Sequence, residues 1–206
     1  MLVKTFGSAV FGVNATTITV EVNLSSGVNF ILVGLPDNAV KESQKRIVAA
    51  LKNCNYKYPR HEFTVNMAPA DIRKEGSAYD LTIAVGILAS SQQMLQDKLE
   101  NYIIMGELSL DGSLQPIKGV LPIAIQAAKE GFKGFILPKQ NAREACLRNA
   151  LDCACDVRPP QHLGQTSDSV RSAAFAGPSA TSLHAHSLNH SVLDVRAPIL
   201  RGRHAE

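Results

Sequence analysis

A polar loop and the apolar segment behind it carry side chains that could do chemistry. Asp80 is a carboxylate at the beginning of an otherwise apolar helical segment, and Arg73 and Lys74 lie on the preceding loop. A carboxylate in a first turn is favoured by the helix dipole and by free backbone N–H groups, so we interpret Asp80 as structural rather than as a polar site residue. Arg73 and Lys74 could contact a phosphate or an acidic partner, although exposed loops are often charged for no other reason.

Histidines and cysteines indicate a metal or redox site only weakly. His184, His186 and His190 lie close together, but no cysteine or carboxylate accompanies them at a spacing typical of metal ligands. Cys153 and Cys155 are one residue apart, which suits neither a zinc site nor a redox Cys-x-x-Cys pair. We therefore predict no metal site, and we interpret all four cysteines, which include Cys54 and Cys146, as reduced thiols.

Hydrophobic periodicity predicts the strands that must position these residues. Segments 3–12 and 16–24 are rich in β-branched residues, and the second alternates polar with apolar positions as a half-buried strand does. The continuous apolar run at 29–35 predicts a more central strand, and 62–67 predicts another. Residues 135–137 complete this set.

The helices are predicted from a period near 3.6 residues and from capping signals. Pro36-Asp37 marks the beginning of an amphipathic helix over residues 38–53, whose charged side chains, Arg46 included, we expect on a solvated face. Residues 80–91 are apolar almost all round, which predicts a helix buried against a sheet. Two helices remain: one is predicted over residues 118–130 and ends at Gly131, and the other lies in residues 140–149, which have helical character.

A tight turn completes the pattern and fixes the fold class. Asp111-Gly112 separates 102–110 from 113–116, and this dipeptide is typical of a two-residue hairpin turn. Hairpins combined with crossover helices predict an α/β fold, an α+β sandwich with a mixed rather than a purely parallel sheet.

Composition narrows the classes of protein. The chain has 206 residues, of which 45% are hydrophobic, and a net charge of +3 that is spread along the chain rather than gathered in a basic run. No nucleic-acid surface is therefore indicated. The apolar stretch 81–89 is much shorter than a bilayer span, and the first twelve residues do not resemble a signal peptide. We expect a soluble, cytoplasmic protein without a membrane partner.

The character of the sequence changes near Cys153. Eleven lysines occur up to Lys139 and none follows it, whereas five of the six histidines fall in residues 158–206. Because this part has no sustained apolar period, we predict a domain over 1–150 and a low-complexity, disordered tail over 151–206. The abrupt change is typical of a fusion or a frame change.

Several separated motifs resemble one family. The segment from Gly106 to Ile117, followed by Gly119 and a helix ending at Gly131-Phe132, is similar to the Lon-type proteolytic domain and to the C-terminal domain of the RadA recombination proteins. The chain more closely resembles the N-terminal domain of the ComM/YifB family of magnesium-chelatase-like AAA+ proteins. That resemblance rests on the following motifs and extends to about Ala145: Val33-Gly34-Leu35-Pro36-Asp37, Val40-Lys41-Glu42-Ser43 and Asn66-Met67-Ala68-Pro69-Ala70. It implies the fold shared by ribosomal protein S5 domain 2 and the Lon proteolytic domain.

The Lon-type resemblance also implies where a peptidase dyad would lie. In the peptidase, a lysine held neutral activates a serine hydroxyl. The nucleophile position corresponds to Ala78 and the lysine position to Leu121, and neither side chain can attack or accept a proton. Ser77 and Lys118 lie nearby as a displaced dyad, but Ser77 comes one residue early and Lys118 about one helical turn early. We therefore predict no catalytic residues, with Ser77 capping the buried helix and Lys118 at the start of the last one.

No segment matches the Gly-x-x-x-x-Gly-Lys-Ser/Thr phosphate loop, so we expect no cofactor in this chain, and ATP and magnesium only in an ATPase module that it lacks. The resemblance implies an accessory or interaction domain of a truncated ComM/YifB-like protein, a family associated with DNA recombination, branch migration and natural transformation. Expected partners are the parent ATPase module, DNA through the parent assembly, and further copies in a homo-hexamer of the full-length protein. A Lon-like Ser/Lys peptidase and a stand-alone DNA-binding module are the alternatives.

Overall fold

A long antiparallel hairpin begins the fold, in a computed structural model that describes residues 1–145 and 152–155. Its strands are β1, Leu2–Phe11, and β2, Asn14–Ser25. Ile18, Val20 and Val22 of β2 are fully buried, whereas the residues between them are only partly covered. The period of two in the sequence therefore predicted the buried face of β2 correctly.

The hairpin is the centre of a seven-stranded mixed sheet. The remaining strands are β3, Phe30–Val33; β4, Glu62–Ala68; β5, Tyr102–Ile104; β8, Gly134–Leu137; and β9, Asp152–Cys155. Their order is β3-β4-β2-β1-β5-β8-β9. The pairs β1–β2 and β2–β4 are antiparallel, and the other neighbouring pairs are parallel. The predicted mixed α/β fold is confirmed.

The prediction that residues 29–35 form a central strand is wrong. β3 covers Phe30–Val33 and lies at one edge of the sheet, beside β4. Its continuous apolar run reflects different environments on its two faces: Phe30 and Leu32 pack against the core, whereas Ile31 and Val33 are 42% and 41% exposed. Periodicity cannot distinguish an apolar edge strand from a central one.

Helices cover both faces of the sheet. Asp37 caps α1, Asn38–Lys41, through a 2.8 Å bond from the Val40 N–H, so the predicted start signal is confirmed. The predicted single helix is broken at Glu42, after which α2 covers Ser43–Asn53.

The third helix, α3, covers Asp80–Ser90 and is buried along its whole length, as its all-round apolar sequence predicted. It packs on one face of the hairpin, where the Thr5 hydroxyl donates to the Thr82 carbonyl at 3.1 Å. The fourth helix, α4, covers Val120–Glu130 and lies on the opposite face, where its last residue, Glu130, accepts from the Thr17 hydroxyl of β2. Gly131 ends α4 with a left-handed φ of 81°, which is the role predicted for it.

The predicted hairpin around Asp111-Gly112 is present but smaller than expected. Its strands are β6, Glu107–Leu108, and β7, Leu114–Gln115, and they form a separate two-stranded sheet. The first part of the predicted strand belongs instead to β5, which lies between β1 and β8. The chain leaves the main sheet after β5, and this turn brings β6 to the beginning of α3.

The end of the predicted domain and the predicted tail are described only in part. The last described helix is α5, Ala142–Ala145, and β9 joins the sheet two residues past the predicted boundary at 150. The predictions made for His184, His186 and His190, and for disorder in the tail, lie outside the described residues. The division into 1–150 and 151–206 stays a prediction.

Candidate functional site

The loop before α3 is held in place by the loop that precedes α1. The Asp37 N–H donates to the Lys74 carbonyl at 3.0 Å, and the Lys74 N–H donates to the Leu35 carbonyl at 3.2 Å. The second carboxylate oxygen of Asp37 accepts the Gly76 N–H at 3.0 Å. Asp37 therefore both caps α1 and fixes the loop from which Ser77 and Asp80 follow.

Asp80 lies at the centre of a charged cluster at the start of α3. It is fully buried, and its two carboxylate oxygens accept from Arg46 Nε at 2.6 Å and Nη2 at 2.9 Å. The Leu108 N–H, on β6, donates to the same carboxylate at 3.2 Å. Burial raises the pKa of Asp80 above its ordinary value, and the Arg46 hydrogen bonds and charge offset that rise only in part.

The prediction that Arg46 lies on a solvated face is wrong. Its side chain is only 20% exposed, and besides Asp80 it donates to the Ala39 carbonyl at 2.8 Å. The carboxylate of Asp80 raises the pKa of Arg46 further, so the guanidinium is a permanent cation. Arg46 thus joins α1, α2 and α3, and Asp80 has a structural role, as expected, although through an ion pair rather than through the helix dipole alone.

Ser77 does not cap α3 with its side chain, so that expectation is wrong. The N-cap residue is Tyr79 and makes no side-chain cap bond, while the Ser77 carbonyl accepts the Asp80 N–H at 3.1 Å. The Ser77 hydroxyl instead donates to the carboxylate of Glu107 on β6. A carboxylate partner can orient this hydroxyl, but in the described residues the hydroxyl makes no hydrogen bond to a lysine.

The two positions that correspond to the peptidase dyad are occupied by apolar residues in different surroundings. Ala78 is half-buried, packs against the main core, and accepts the Gly106 N–H at its carbonyl at 2.8 Å. Leu121 is 38% exposed on the first turn of α4, and its N–H donates to Glu144 at 3.1 Å. Lys118 is exposed and precedes α4, which begins at Val120 rather than at the predicted residue 118.

The two loop cations have opposite environments. Lys74 is fully buried and its ammonium donates to the Pro69 carbonyl, so the suggestion that it contacts a phosphate or an acidic partner is wrong. Burial lowers the pKa of Lys74, and Asp71 counteracts this effect. Arg73 is exposed, pairs with Glu75 at 3.2 Å, and lines a shallow groove together with Leu35 and Lys41.

Sequence reasoning did not find Arg46 or Glu107 as members of this cluster. Arg46 lies 34 positions before Asp80, and Glu107 lies 30 positions after Ser77. No local pattern indicates such pairings, because they depend on how α2, α3 and β6 pack. Among residues 1–145 and 152–155 no group of three or more metal-ligating side chains is found, and no helix there is long and apolar enough to cross a membrane.

Comparison with known proteins gives the family of this domain. A family model described as subunit ChlI of Mg-chelatase matches residues 20–141, which is more than half of the chain. The chain belongs to this ChlI family. The match begins within β2 and ends just before α5, and it includes Arg46, Asp80, Ser77 and Glu107.

Individual relatives agree with the ChlI assignment and with the ComM/YifB resemblance. The chain is 48% identical over 143 residues to the competence protein ComM of Haemophilus influenzae and 44% identical over 146 residues to the uncharacterized protein YifB of Escherichia coli. These alignments cover 69% and 70% of the chain but only 28% and 29% of the two relatives. Lon protease 2 of Bacillus subtilis is 28% identical over 109 residues, 52% of the chain and 19% of that protease. The chain therefore spans less than a third of the length of these relatives.

Proposed function

We propose that this ChlI-family chain is a non-catalytic accessory or interaction domain of a ComM/YifB-like protein. The observation that carries this proposal is the state of the dyad-equivalent region. Ala78 and Leu121 supply neither a nucleophile nor a base, and the nearby Ser77 hydroxyl is bonded to Glu107. The polar groups around the start of α3 hydrogen-bond to one another, which supports a structural role for them.

The charged cluster around Asp80 supports a structural rather than a catalytic role for this region. A general base must accept a proton from the nucleophile within hydrogen-bond reach. Asp80 is fully buried and already accepts three hydrogen bonds, two of them from Arg46. Such an arrangement is suited to fixing α3 against α2 and β6, and not to proton transfer.

The proposed association with an ATPase module rests on the relatives. One of them is named a competence protein, and the chain matches less than a third of its length. We infer that ATP and magnesium are used by an ATPase module outside this chain. We further infer that DNA recombination and branch migration, a homo-hexameric assembly and a cytoplasmic location belong to the parent protein.

Two measurements on the full chain test the non-catalytic part. Casein or a fluorogenic peptide should not be cleaved, and titration with ATP and magnesium in a calorimeter should give no heat of tight binding. The variants Ser77→Ala and Lys118→Ala are the controls. Cleavage that either variant abolishes would establish a displaced dyad and overturn the proposal in favour of a peptidase, and micromolar ATP affinity would overturn the absence of a nucleotide site.

A third measurement tests the accessory role. The chain is co-expressed with the portion of Haemophilus influenzae ComM that lies outside the matched region. Co-purification at a fixed stoichiometry, and a change in the ATPase rate of that portion, are the expected results. A ComM portion that neither binds the chain nor changes its rate would contradict the role as an interaction domain.

A further inference from the structure

One part of the described chain is strongly basic. Residues 38–61, which comprise α1, α2 and the loop that follows α2, contain six lysines and arginines and one acidic residue. The other described residues contain nine lysines and arginines and thirteen aspartates and glutamates. Folding therefore gives the domain a basic region and leaves the remainder with a small excess of negative charge, although the sequence has no continuous basic run.

Three lysines in the helical part of this region are exposed. Lys45 and Lys52 lie seven residues apart on α2, so two helical turns place them in one line about 10 Å long. Lys41 ends α1 four residues before Lys45. The side of α2 that packs on the core lies opposite this line and consists of Ser43, Ile47, Ala50 and Leu51. The line of lysines therefore faces solvent.

The loop after α2 adds two exposed cations. The Tyr58 hydroxyl lies beside the Gln44 side chain in the first turn of α2, so the loop folds back along that helix. Tyr58 and Tyr56 pack against the main core, whereas Lys57, between them, and Arg60 are exposed. We call the five exposed side chains the basic face: Lys41, Lys45, Lys52, Lys57 and Arg60.

The acidic residues near the basic face have other partners. Glu42, the one acidic residue in 38–61, lies 4.0 Å from the guanidinium of Arg46. Asp37 accepts two backbone N–H groups, and Asp111, near the end of α2, accepts the N–H and the hydroxyl of Ser113. Among the described residues, no cation of the basic face forms an ion pair. These five positive charges are therefore available to a ligand.

We propose that the basic face binds the phosphate backbone of nucleic acid without reading the base sequence. Each lysine that neutralises a phosphate releases a condensed counterion, and several such contacts supply the affinity of sequence-independent binding. The inference goes beyond the accessory role, since it assigns a nucleic-acid contact to this domain itself. It rests on the charge distribution of this chain, so its failure would leave the expected co-purification with the ComM portion unaffected.

The surroundings of the basic face favour nucleic acid over an acidic protein as the partner. Interfaces between proteins have an apolar or aromatic centre and are depleted of lysine. Four of the five cations are lysines, and none of the large apolar side chains that are exposed in the described residues lies in 38–61. The basic face therefore lacks the apolar anchors that a protein partner would bury.

The first test measures the binding of a short, fluorescently labelled DNA of mixed sequence by anisotropy. At about 50 mM salt the full chain should bind the single-stranded or the double-stranded form with a dissociation constant below about 100 μM, and the form that binds more tightly is the ligand of the basic face. Lys45→Gln/Lys52→Gln should raise this constant at least about tenfold, because two phosphate contacts are lost. Lys129→Gln/Lys139→Gln is the matched control, since it removes the same charge from exposed positions on α4 and after β8, and it should change the constant less than about threefold. Circular dichroism checks that every variant is folded.

The second test identifies the kind of contact from its salt dependence. Arginines also occur in residues 156–206, so the decisive quantities are differences between the unmodified chain and its variants. For double-stranded DNA, the slope of log binding constant against log salt concentration should be less steep by about two in Lys45→Gln/Lys52→Gln, about one for each lost phosphate contact. Polyglutamate that binds as tightly as DNA, with the same loss in this variant, would overturn nucleic acid as the partner in favour of an acidic protein. No binding of DNA at about 100 μM chain, or equal effects of the two double variants, would overturn the basic face as a binding site.

Discussion

Arg46 and Asp80 form a bidentate ion pair at the α2–α3 contact, with Nε–Oδ2 at 2.6 Å and Nη2–Oδ1 at 2.9 Å. The carboxylate is fully buried, while the guanidinium retains a small exposed area. A carboxylate in this position has lost its hydration and depends on the cation and on the Leu108 N–H for compensation. The pair therefore couples two helices and β6.

We expect Arg46→Ala to lower the free energy of unfolding by about 2–4 kcal/mol, because it leaves the Asp80 carboxylate buried without its cation. The measurement is urea-induced unfolding of the full chain at neutral pH. The double variant Arg46→Ala/Asp80→Ala should lose less than the sum of the two single variants, by about 1–3 kcal/mol.

Arg73→Ala is the matched control for this experiment. Arg73 also forms an ion pair, with Glu75, but both side chains are about two-thirds exposed. Exposed pairs contribute little, so this variant should change the free energy of unfolding by less than about 0.5 kcal/mol. Equal losses for Arg46→Ala and Arg73→Ala would show that the buried pair is not what holds α2 on α3.

Local sequence signals were sufficient for most elements of the fold. The alternation in β2, the all-round apolar sequence of α3 and the glycine that ends α4 each predicted the observed element, because each signal is a property of neighbouring residues. The position of β3 at the sheet edge was not predictable in this way. Strand order depends on which surfaces α2 and α3 cover, and an apolar run of four residues is compatible with either position.

The sequence predicted individual polar residues of the site but not the partners to which they bond. Asp80 and Ser77 were identified as polar residues at the start of a buried helix, but their partners Arg46 and Glu107 are distant in the sequence. Amphipathic patterning placed Arg46 on a solvated face, since it assigns a face without knowing that the neighbouring helix presents a carboxylate there. Lys74 was misplaced for a similar reason, because a loop is normally exposed and this one folds inward.

A second prediction concerns the contact between α3 and β2. Gly86 lies in the buried helix, and a Cβ at this position would be 2.5 Å from Cγ2 of Val22. Gly86→Ala should therefore lower the free energy of unfolding by about 1–2 kcal/mol, although alanine has the higher helix propensity. Adding Val22→Ala removes the clashing methyl group, so the double variant should be less destabilised than the sum. Simple additivity in thermal or urea unfolding would refute the proposed clash.

A third prediction follows from the burial of Lys74. Its pKa in the folded state lies below the ordinary value of 10.5, so the unfolded chain binds more protons between these two pKa values. The free energy of unfolding of the unmodified chain, measured relative to Lys74→Met, should therefore rise with pH up to about 10.5 and then level off. Subtracting the variant removes the contributions of Tyr79 and Cys54, whose pKa values burial raises.

The control for this pH experiment is Lys118→Met, because Lys118 is exposed. A rise of the same size relative to Lys118→Met would show that the effect does not come from Lys74. If the difference in the free energy of unfolding between the unmodified chain and Lys74→Met does not change with pH, Lys74 has the same pKa in the folded and the unfolded state.

The last prediction tests whether the backbone still holds the dyad-equivalent positions in register. Ala78→Ser alone should give no peptidase activity, since Leu121 leaves the new hydroxyl without a base. Leu121→Lys alone should give none either, because it adds a cation without a nucleophile. Members of a catalytic unit act together, so losing one removes nearly all of the covalent pathway.

The double variant Ala78→Ser/Leu121→Lys distinguishes lost side chains from lost geometry. A trace of casein cleavage, absent from both single variants, requires that the two side chains meet and that backbone donors remain for the oxyanion. The exposed position of Leu121 on α4 and the half-buried position of Ala78 favour no restoration, because an exposed lysine stays protonated and hydrated. We therefore expect the double variant to be inactive while its thermal stability stays close to that of the unmodified chain. Measurable turnover would show that the peptidase geometry survives in this chain and that only the two side chains were lost.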